Sequence, residues 1–201
     1  MPSTVLITGA SRGIGAAAAR LFAQKGWQVA ANYCQSEQEA RALAASHPGI
    51  LAVQADVADR GQVDEMIGEV LRQFGHIDVL INNAGIAQQN LFTDVTEAEW
   101  ERLFSVNVTG VFHCCQAVLP GMIRRQRGKI VNLSSIWGMT GASCEVAYSA
   151  AKAAVIGLSK ALAKEVGPSG ITVNCVAPGV IDTDMNAALD DETRAGLREE
   201  T

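Results

Sequence analysis

The chain has 201 residues, 48% of them hydrophobic and 18% charged, with a formal net charge of -5, which suits one domain with a sizeable buried core. Only 5% of the residues are aromatic, so close packing of helices on a sheet is expected rather than a sandwich or barrel, and without a basic stripe interleaved with aromatics no nucleic-acid partner is expected. No apolar run approaches the length of a membrane span, and the five cysteines (Cys34, Cys114, Cys115, Cys144, Cys175) lack C-x-x-C spacing, so a cytoplasmic protein with no disulfide framework, metal or membrane is expected.

Met1-Pro2-Ser3-Thr4 leads into Val5-Leu6-Ile7 with no charged-then-apolar leader. That apolar run stops at Thr8-Gly9-Ala10-Ser11-Arg12-Gly13-Ile14-Gly15, and Ala16 to Lys25 is dense in helix formers, an order of strand, glycine-rich turn and helix. Glycines in such a turn let backbone amides approach a pyrophosphate, and the helix start adds unpaired N–H groups and the positive end of its dipole. The alternation continues with a strand at Gln28 to Tyr33, a helix at Ser36 to Ser46, a strand at Ile50 to Gln54, a helix at Arg60 to Phe74 and a very apolar strand at Ile77 to Ile81. Further strands read at Lys129 to Leu133 and Ile171 to Val176, and no repeat or linker intervenes, so residues 1–201 read as one domain. This predicts an α/β fold, a three-layer doubly wound parallel sheet with helices on both faces. Ligands then bind beyond the carboxyl ends of the strands, which directs attention to Thr8–Gly15, Asp56–Val57, Asn82–Gly85, the stretch from Ser134 and Ala177–Gly179. His47, His76 and His113 stand singly and read as surface or packing residues.

In the stretch from Ser134 to Lys152, Tyr148 and Lys152 are four apart, so on a helix they share a face. With a free pKa of about 10, a phenol is roughly one part in a thousand ionised at pH 7, a handicap of about 4 kcal/mol that a nearby ammonium offsets. The pair alone is common in amphipathic helices; its setting decides.

That setting resembles the short-chain dehydrogenases/reductases. Gly9, Gly13 and Gly15 follow that family's T-G-x-x-x-G-x-G form, and Asn82-Asn83-Ala84-Gly85, Asn107, Ser135, Tyr148-x-x-x-Lys152 and Pro178-Gly179 fall in its order. The resemblance implies the Rossmann fold, with Asn107, Ser135, Tyr148 and Lys152 as catalytic residues. Ser135 then hydrogen-bonds a carbonyl oxygen, Tyr148 donates a proton to it, Lys152 holds the nicotinamide ribose and favours the ionised phenol, and Asn107 kinks its helix and holds a water leading to Lys152. Ser134 is the alternative serine. For the cofactor, the resemblance implies Gly9, Ser11, Arg12, Gly13, Ile14 and Gly15 around the phosphates, Asp56 and Val57 at the adenine, and Asn83, Ala84 and Gly85 along the cofactor. Pro178, Gly179, Ile181 and Thr183 would close over the nicotinamide, with Tyr148 and Lys152 beside it. Asp56 also reads as a cap for the helix at Arg60.

An NAD-selective member would place an Asp at the end of the second strand; here that position reads Asn32-Tyr33, so Asn32 is the expected cofactor-binding residue there, with no carboxylate before Glu37 and with Arg12 in the glycine turn. The expected cofactor is NADP(H), its 2'-phosphate facing a guanidinium rather than a carboxylate. Ile86, Gln88, Trp137, Met139 and Val146 are expected to line an apolar substrate pocket. The pattern looks most like the members that reduce a 3-oxoacyl thioester on an acyl carrier protein, with Arg124, Arg125 and Arg127 meeting the acidic carrier or merely complementing a helix end. A dehydrogenase of a steroid, sugar or other secondary alcohol, and a non-catalytic dinucleotide-binding module, are the competing readings. The resemblance further implies a homo-oligomer (dimer or tetramer), a substrate lid over residues 183–201, and a further helix and strand beyond Thr201. Without that tail, Ile171 to Val176 would be an open sheet edge, and lower stability and activity are expected.

Overall fold

Alternating side chains on short apolar strands decide which helices cover which face. The computed structural model describes residues 2–183; Met1 and residues 184–201, and with them nearly all of the expected lid, lie outside the described residues. In chain order the elements are β1 (Thr4–Ile7), α1 (Gly13–Gln24), β2 (Gln28–Tyr33), α2 (Glu37–Ser46), β3 (Ile50–Gln54), α3 (Arg60–Phe74), β4 (Val79–Asn82), α4 (Glu97–Phe104), α5 (Gly110–Arg125), β5 (Gly128–Leu133), α6 (Trp137–Thr140), α7 (Val146–Val166) and β6 (Ile171–Val176). All strands are parallel, in the order β3-β2-β1-β4-β5-β6, the doubly wound arrangement expected. The order reverses between β1 and β4, where connections leave to opposite faces and a crevice opens at the carboxyl ends.

Leu6, Ala30, Val53, Leu80 and Ile130 pack with buried residues of α3, α5 and α7, among them Val63, Met66, Val118, Met122 and Val155. Val5, Ile7, Val29, Ala31 and Val79 pack instead with Ala16 and Ala19 of α1 and Leu43 of α2. Small residues at the α1 contacts let that helix lie close to the sheet, which brings its first turn to the crevice. β6 alternates, with Ile171 and Val173 buried and Thr172, Asn174 and Val176 exposed, and is the sheet edge among the described residues. The stretches 97–125 and 146–169 are long and apolar enough to cross a membrane by length and composition. They include α5 and α7, whose apolar sides pack on the sheet as core helices do.

Element limits depart from expectation where side chains compete for the backbone. α1 starts at Gly13 rather than Ala16, so two of the turn glycines belong to its first turn. β4 starts at Val79 rather than Ile77. Just before it, the Asp78 carboxylate, 6% exposed, accepts from the Thr4 amide at 3.1 Å and pairs with His76 at 3.0 Å and Arg127 at 3.2 Å. That one carboxylate joins the starts of β1, β4 and β5. Asp78→Ala is expected to lower unfolding free energy by about 2 kcal/mol, read as a lower urea midpoint; an unchanged midpoint would remove the assignment.

Candidate active site

A cleft of about 600 Å³ opens at the carboxyl ends of the strands, with walls from the loops after β1, β2, β3, β4 and β5 and from α7. Its floor is the glycine turn, where Gly9 and Gly13 have φ of +61° and +55°, the left-handed region that favours glycine. A Cβ on Gly9 would lie 2.8 Å from the Ala84 Cα, and one on Gly15 would lie 2.5 Å from the Gly9 carbonyl oxygen and 2.6 Å from Asn83 Nδ2. Gly15 therefore permits close packing behind the turn, while Gly9, Ser11, Arg12, Gly13 and Ile14 line the cleft. No side chain caps the start of α1, so its first-turn amides remain open to an anion. Asn83 ties the turn to β4: its side-chain amide donates to the Thr8 and Gly9 carbonyls at 2.9 Å each, and the Thr8 hydroxyl accepts from the Asn83 and Ala84 amides at 3.0 Å.

Asn32 lines the cleft and also braces its floor. Its Oδ1 accepts from the Gly9 amide at 3.2 Å and its Nδ2 donates to the carbonyls of Tyr33, Val53 and Ala55. With its donors and acceptor spent, it holds the turn, and Tyr33, Cys34, Gln35 and Ser36 form the adjacent cleft wall. Asp56 and Val57 line the same end. The helix cap considered for Asp56 is supplied instead by Asp59, which accepts from the Gln62 amide at 3.1 Å. Asp56 pairs with Arg102 of α4 at 3.0 Å. Arg102 escaped the sequence reading because no motif marks it; only the approach of α4 to the β3–α3 loop brings it to the cleft.

At the other end of the cleft, α7 carries Tyr148 and Lys152 on one face, and β5 leads into two serines with different work. The Ser134 hydroxyl donates to the Lys152 carbonyl at 2.8 Å, a tie between β5 and α7. The Ser135 hydroxyl accepts from the Trp137 amide at 3.2 Å and lies close enough to Tyr148 to lower its pKa. The Lys152 ammonium donates to the Leu133 carbonyl at 2.9 Å and stands 5.6 Å from the Tyr148 ring centroid. Burial lowers its pKa from the ordinary 10.5 to about 8 because a charged ammonium loses hydration there. The expected lowering of the Tyr148 pKa by Lys152 is not what the structure shows. Burial raises it above 10, the nearby Ser135 hydroxyl opposes that, and Glu145 raises it further. The phenol is thus held protonated, chiefly because partial burial disfavours the charged phenolate.

Asn107 sits in a π-helical turn, Ser105–Thr109, between α4 and α5, which is the expected kink. Its side chain is committed to Ile86, accepting from the amide at 3.0 Å and donating to the carbonyl at 2.8 Å. A Cβ on Gly85 would lie 2.8 Å from Asn107 Oδ1 and 3.4 Å from Lys152 Nζ, so Asn107, Gly85 and Lys152 converge. Asn107 is buried behind the cleft wall as a clamp on the loop after β4. Asn83, Ala84, Gly85, Pro178 and Thr183 line the cleft, and Pro178 is fixed by its carbonyl accepting from the Ile136 amide at 2.9 Å. Gly179 and Ile181 are exposed and stand off the cleft wall. Of the expected substrate-side residues, Ile86 lines the cleft, while Met139 and Val146 are exposed.

The three arginines lie elsewhere. Arg125 donates to the Ile77 carbonyl at 2.5 Å and Arg127 pairs with Asp78, at the amino end of β5. Six residues of strand separate that end from Ser134, roughly 20 Å at about 3.3 Å per residue. Arg124, Arg125 and Arg127 therefore stand at the opposite end of β5 from the cleft. Among the described residues no group of three or more His, Cys, Asp or Glu side chains comes together as a metal site.

A parallel doubly wound sheet, a glycine turn open to phosphates at its switch point, and a serine, tyrosine and lysine converging at the same cleft define a dinucleotide-dependent oxidoreductase. A family model described as short chain dehydrogenase matches residues 3–194, and the chain belongs to that family. It is 46% identical over 198 residues to 3-oxoacyl-acyl-carrier-protein reductase FabG of Staphylococcus aureus, covering 96% of this chain and 80% of that one. It is 40% identical over 196 residues to the Escherichia coli protein of the same name, covering 96% and 79%. Among solved structures, a short-chain dehydrogenase from Streptomyces avermitilis superposes with a TM-score of 0.88 at 38% identity, covering 92% of this chain and 68% of that one.

The Lys152 shift sets a pH dependence. A lysine whose folded pKa is depressed penalises the folded state while charged, so this group's cost to stability is present below pH about 8 and is relieved as pH rises towards 10.5. Activity runs the other way: kcat/KM, which reports the free enzyme, is expected to fall as pH rises through about 8 while Tyr148 remains protonated. A profile flat to pH 10 would overturn the assignment of that limb to Lys152.

Proposed function

We propose that this oxidoreductase reduces a 3-oxoacyl thioester, carried on an acyl carrier protein, to the 3-hydroxyacyl form with NADPH. The observation that carries the chemistry is the convergence at the cleft of the half-buried Tyr148 phenol, raised in pKa by desolvation, with Lys152, whose ammonium stands 5.6 Å from the Tyr148 ring centroid, a proton donor ready for a carbonyl oxygen. The 3-oxoacyl-acyl-carrier-protein reductases that the chain is similar to supply the substrate class. The glycine cradle, the uncapped start of α1 and the cleft's size suit a dinucleotide. NADPH, when bound, supplies the hydride.

The protein's own groups do the rest. Ser135 donates a hydrogen bond to the substrate carbonyl oxygen, orienting it, and Tyr148 gives it the proton. As that proton leaves, the ammonium of Lys152 stabilises the phenolate, an interaction stronger at low local dielectric, and it holds the nicotinamide ribose. Gly9, Ser11, Arg12, Gly13 and Ile14 hold the phosphates, with Gly15 and Asn32 bracing the turn. Asp56 and Val57 hold the adenine, Asn83, Ala84 and Gly85 run along the cofactor, and Pro178 and Thr183 stand beside the nicotinamide. Asn107 positions the loop after β4.

The choice of NADPH rests on charge. Asp56 is the one carboxylate lining the described cleft, and it is paired with Arg102, while Arg12 lines the cleft as well. A 2'-phosphate therefore meets cations without a free carboxylate to repel it. A homo-oligomer in the cytoplasm belongs to the same reading.

Tyr148→Phe is expected to lower turnover by at least about 100-fold with NADPH affinity nearly unchanged; an active Phe variant would refute the assignment. Ser135→Ala is expected to lose turnover comparably, whereas Ser134→Ala loses about 1 kcal/mol of stability and less turnover, so equal kinetic losses would erase the distinction. NADPH oxidation should be seen with an acetoacetyl thioester and should exceed NADH oxidation in kcat/KM. Equal use of NADH, or turnover only with a steroid or sugar, would overturn the cofactor or the substrate reading respectively.

A further inference from the structure

A chain of buried amide and hydroxyl groups runs through the core with no part in the chemistry described above. Asn82 at the end of β4 donates through Nδ2 to Asn132 Oδ1 on β5 at 2.8 Å, and to Cys115 Sγ on α5 at 3.3 Å. Asn132 donates through Nδ2 to Ser159 Oγ on α7 at 2.8 Å, and Ser159 donates to the Val155 carbonyl one turn earlier at 2.7 Å. The three residues are 3%, 0% and 3% exposed, and Asn82 and Asn132 are register partners of adjacent parallel strands. Polar groups this deep carry a desolvation cost that apolar residues of the same size avoid. What they add is direction, because a hydrogen bond fixes a distance and an angle that a smooth apolar contact leaves free.

α7 needs such a constraint. Its buried residues are Ala147, Ser149, Ala151, Lys152, Val155, Ser159 and Val166, so few large side chains interlock with the sheet, and packing alone specifies its axial position weakly. Ser159 lies seven residues after Lys152 and eleven after Tyr148, about two and three turns, so all three share one stripe facing β5. A slip of one residue along the helix axis displaces Tyr148 by about 1.5 Å relative to Ser135, which β5 carries. A misplacement near 1 Å is enough to cost about 100-fold in rate. The Ser134 bond to the Lys152 carbonyl is one tie between β5 and α7, and the Asn132–Ser159 bond is a second, two turns further on.

We propose that Asn82, Asn132 and Ser159 are positioning residues: their buried relay fixes the axial register of α7 against β5 and so sets the distance of Tyr148 and Lys152 from Ser135. The inference rests on the reading of Tyr148 as the proton donor. The test is Ser159→Ala, with Ser159→Cys as a volume-conserving variant that weakens the hydrogen bond should the alanine variant not fold, and Ser159→Thr as the variant that keeps the hydroxyl. In whichever of the first two folds, kcat is expected to fall about tenfold, with KM and the NADPH dissociation constant from fluorescence titration within about twofold. Ser159→Thr is expected to recover at least half of the lost turnover. A merely structural role would lower the melting temperature and leave kcat alone, so a folded Ala or Cys variant with kcat within twofold of the parent overturns the proposal. Tyr148→Phe is measured in parallel: an inactive Phe variant beside an unaffected Ser159 variant sinks only the relay, whereas a fully active Phe variant sinks both the relay and the reading of the site.

Discussion

A lysine ammonium held at 5% exposure between α7 and the end of β5 is the constraint on which the site depends. Burying a charge is expensive unless it is hydrogen-bonded, and here the Leu133 carbonyl, the last of β5, receives it at 2.9 Å. Around that bond the strand cannot continue its ladder unchanged, the helix must come close, and the loop after β4 must present glycine. A Cβ on Gly138 would lie 2.8 Å from the Lys152 carbonyl carbon and from Ser134 Oγ, so α6 also requires a residue without a side chain there. The same burial that depresses Lys152 keeps Tyr148 protonated. Both groups are thereby protonated at neutral pH, the lysine charged and the phenol neutral, which is the starting state for a proton transfer away from the phenol.

The cofactor end is governed by a different economy of space. β1 and β4 lie side by side at the switch point, and the loops leaving them touch through Gly9 and Ala84, locked by Thr8 and Asn83. Every polar atom that braces this floor is used, so the surface left to a ligand is largely backbone amide. Asn32 and Asn107 follow the same logic: each spends its side-chain amide on main-chain groups of a cleft-forming loop. These asparagines shape the site by holding loops whose own backbone does the recognition.

Specificity then falls to the few charged groups that reach the cleft. Arg102 arrives from a helix remote in sequence and neutralises Asp56, and Arg12 rises from the glycine turn. Their balance, rather than any single residue after β2, leaves Arg12 as a cation without a free carboxylate at that end of the described cleft. Glu145 enters from the α6–α7 loop and acts on Tyr148 through space, opposite in sign to the Lys152 ammonium on the same helix as Tyr148.

The element order, the parallel sheet, the glycine turn and the Tyr148–Lys152 pair were all legible in the residues, because each rests on local periodicity or on short spacing along one chain segment. α3 and β6 were placed with the limits the structure has. What could not be read were the contacts made across loops: that Asn32 and Asn107 face backbone, that Asp59 and not Asp56 caps α3, that Arg102 meets Asp56, and that Arg125 and Arg127 serve β4 at the far end of the sheet. Nor could the state of the phenol be read, since spacing puts an ammonium near a tyrosine but only burial and hydrogen-bond direction decide which of the two loses its proton more easily. The sequence by itself determined which segments form strands and helices and which side chains are available for chemistry. The tertiary structure alone decided what each polar atom is spent on, because that depends on which distant segment fills the space beside it.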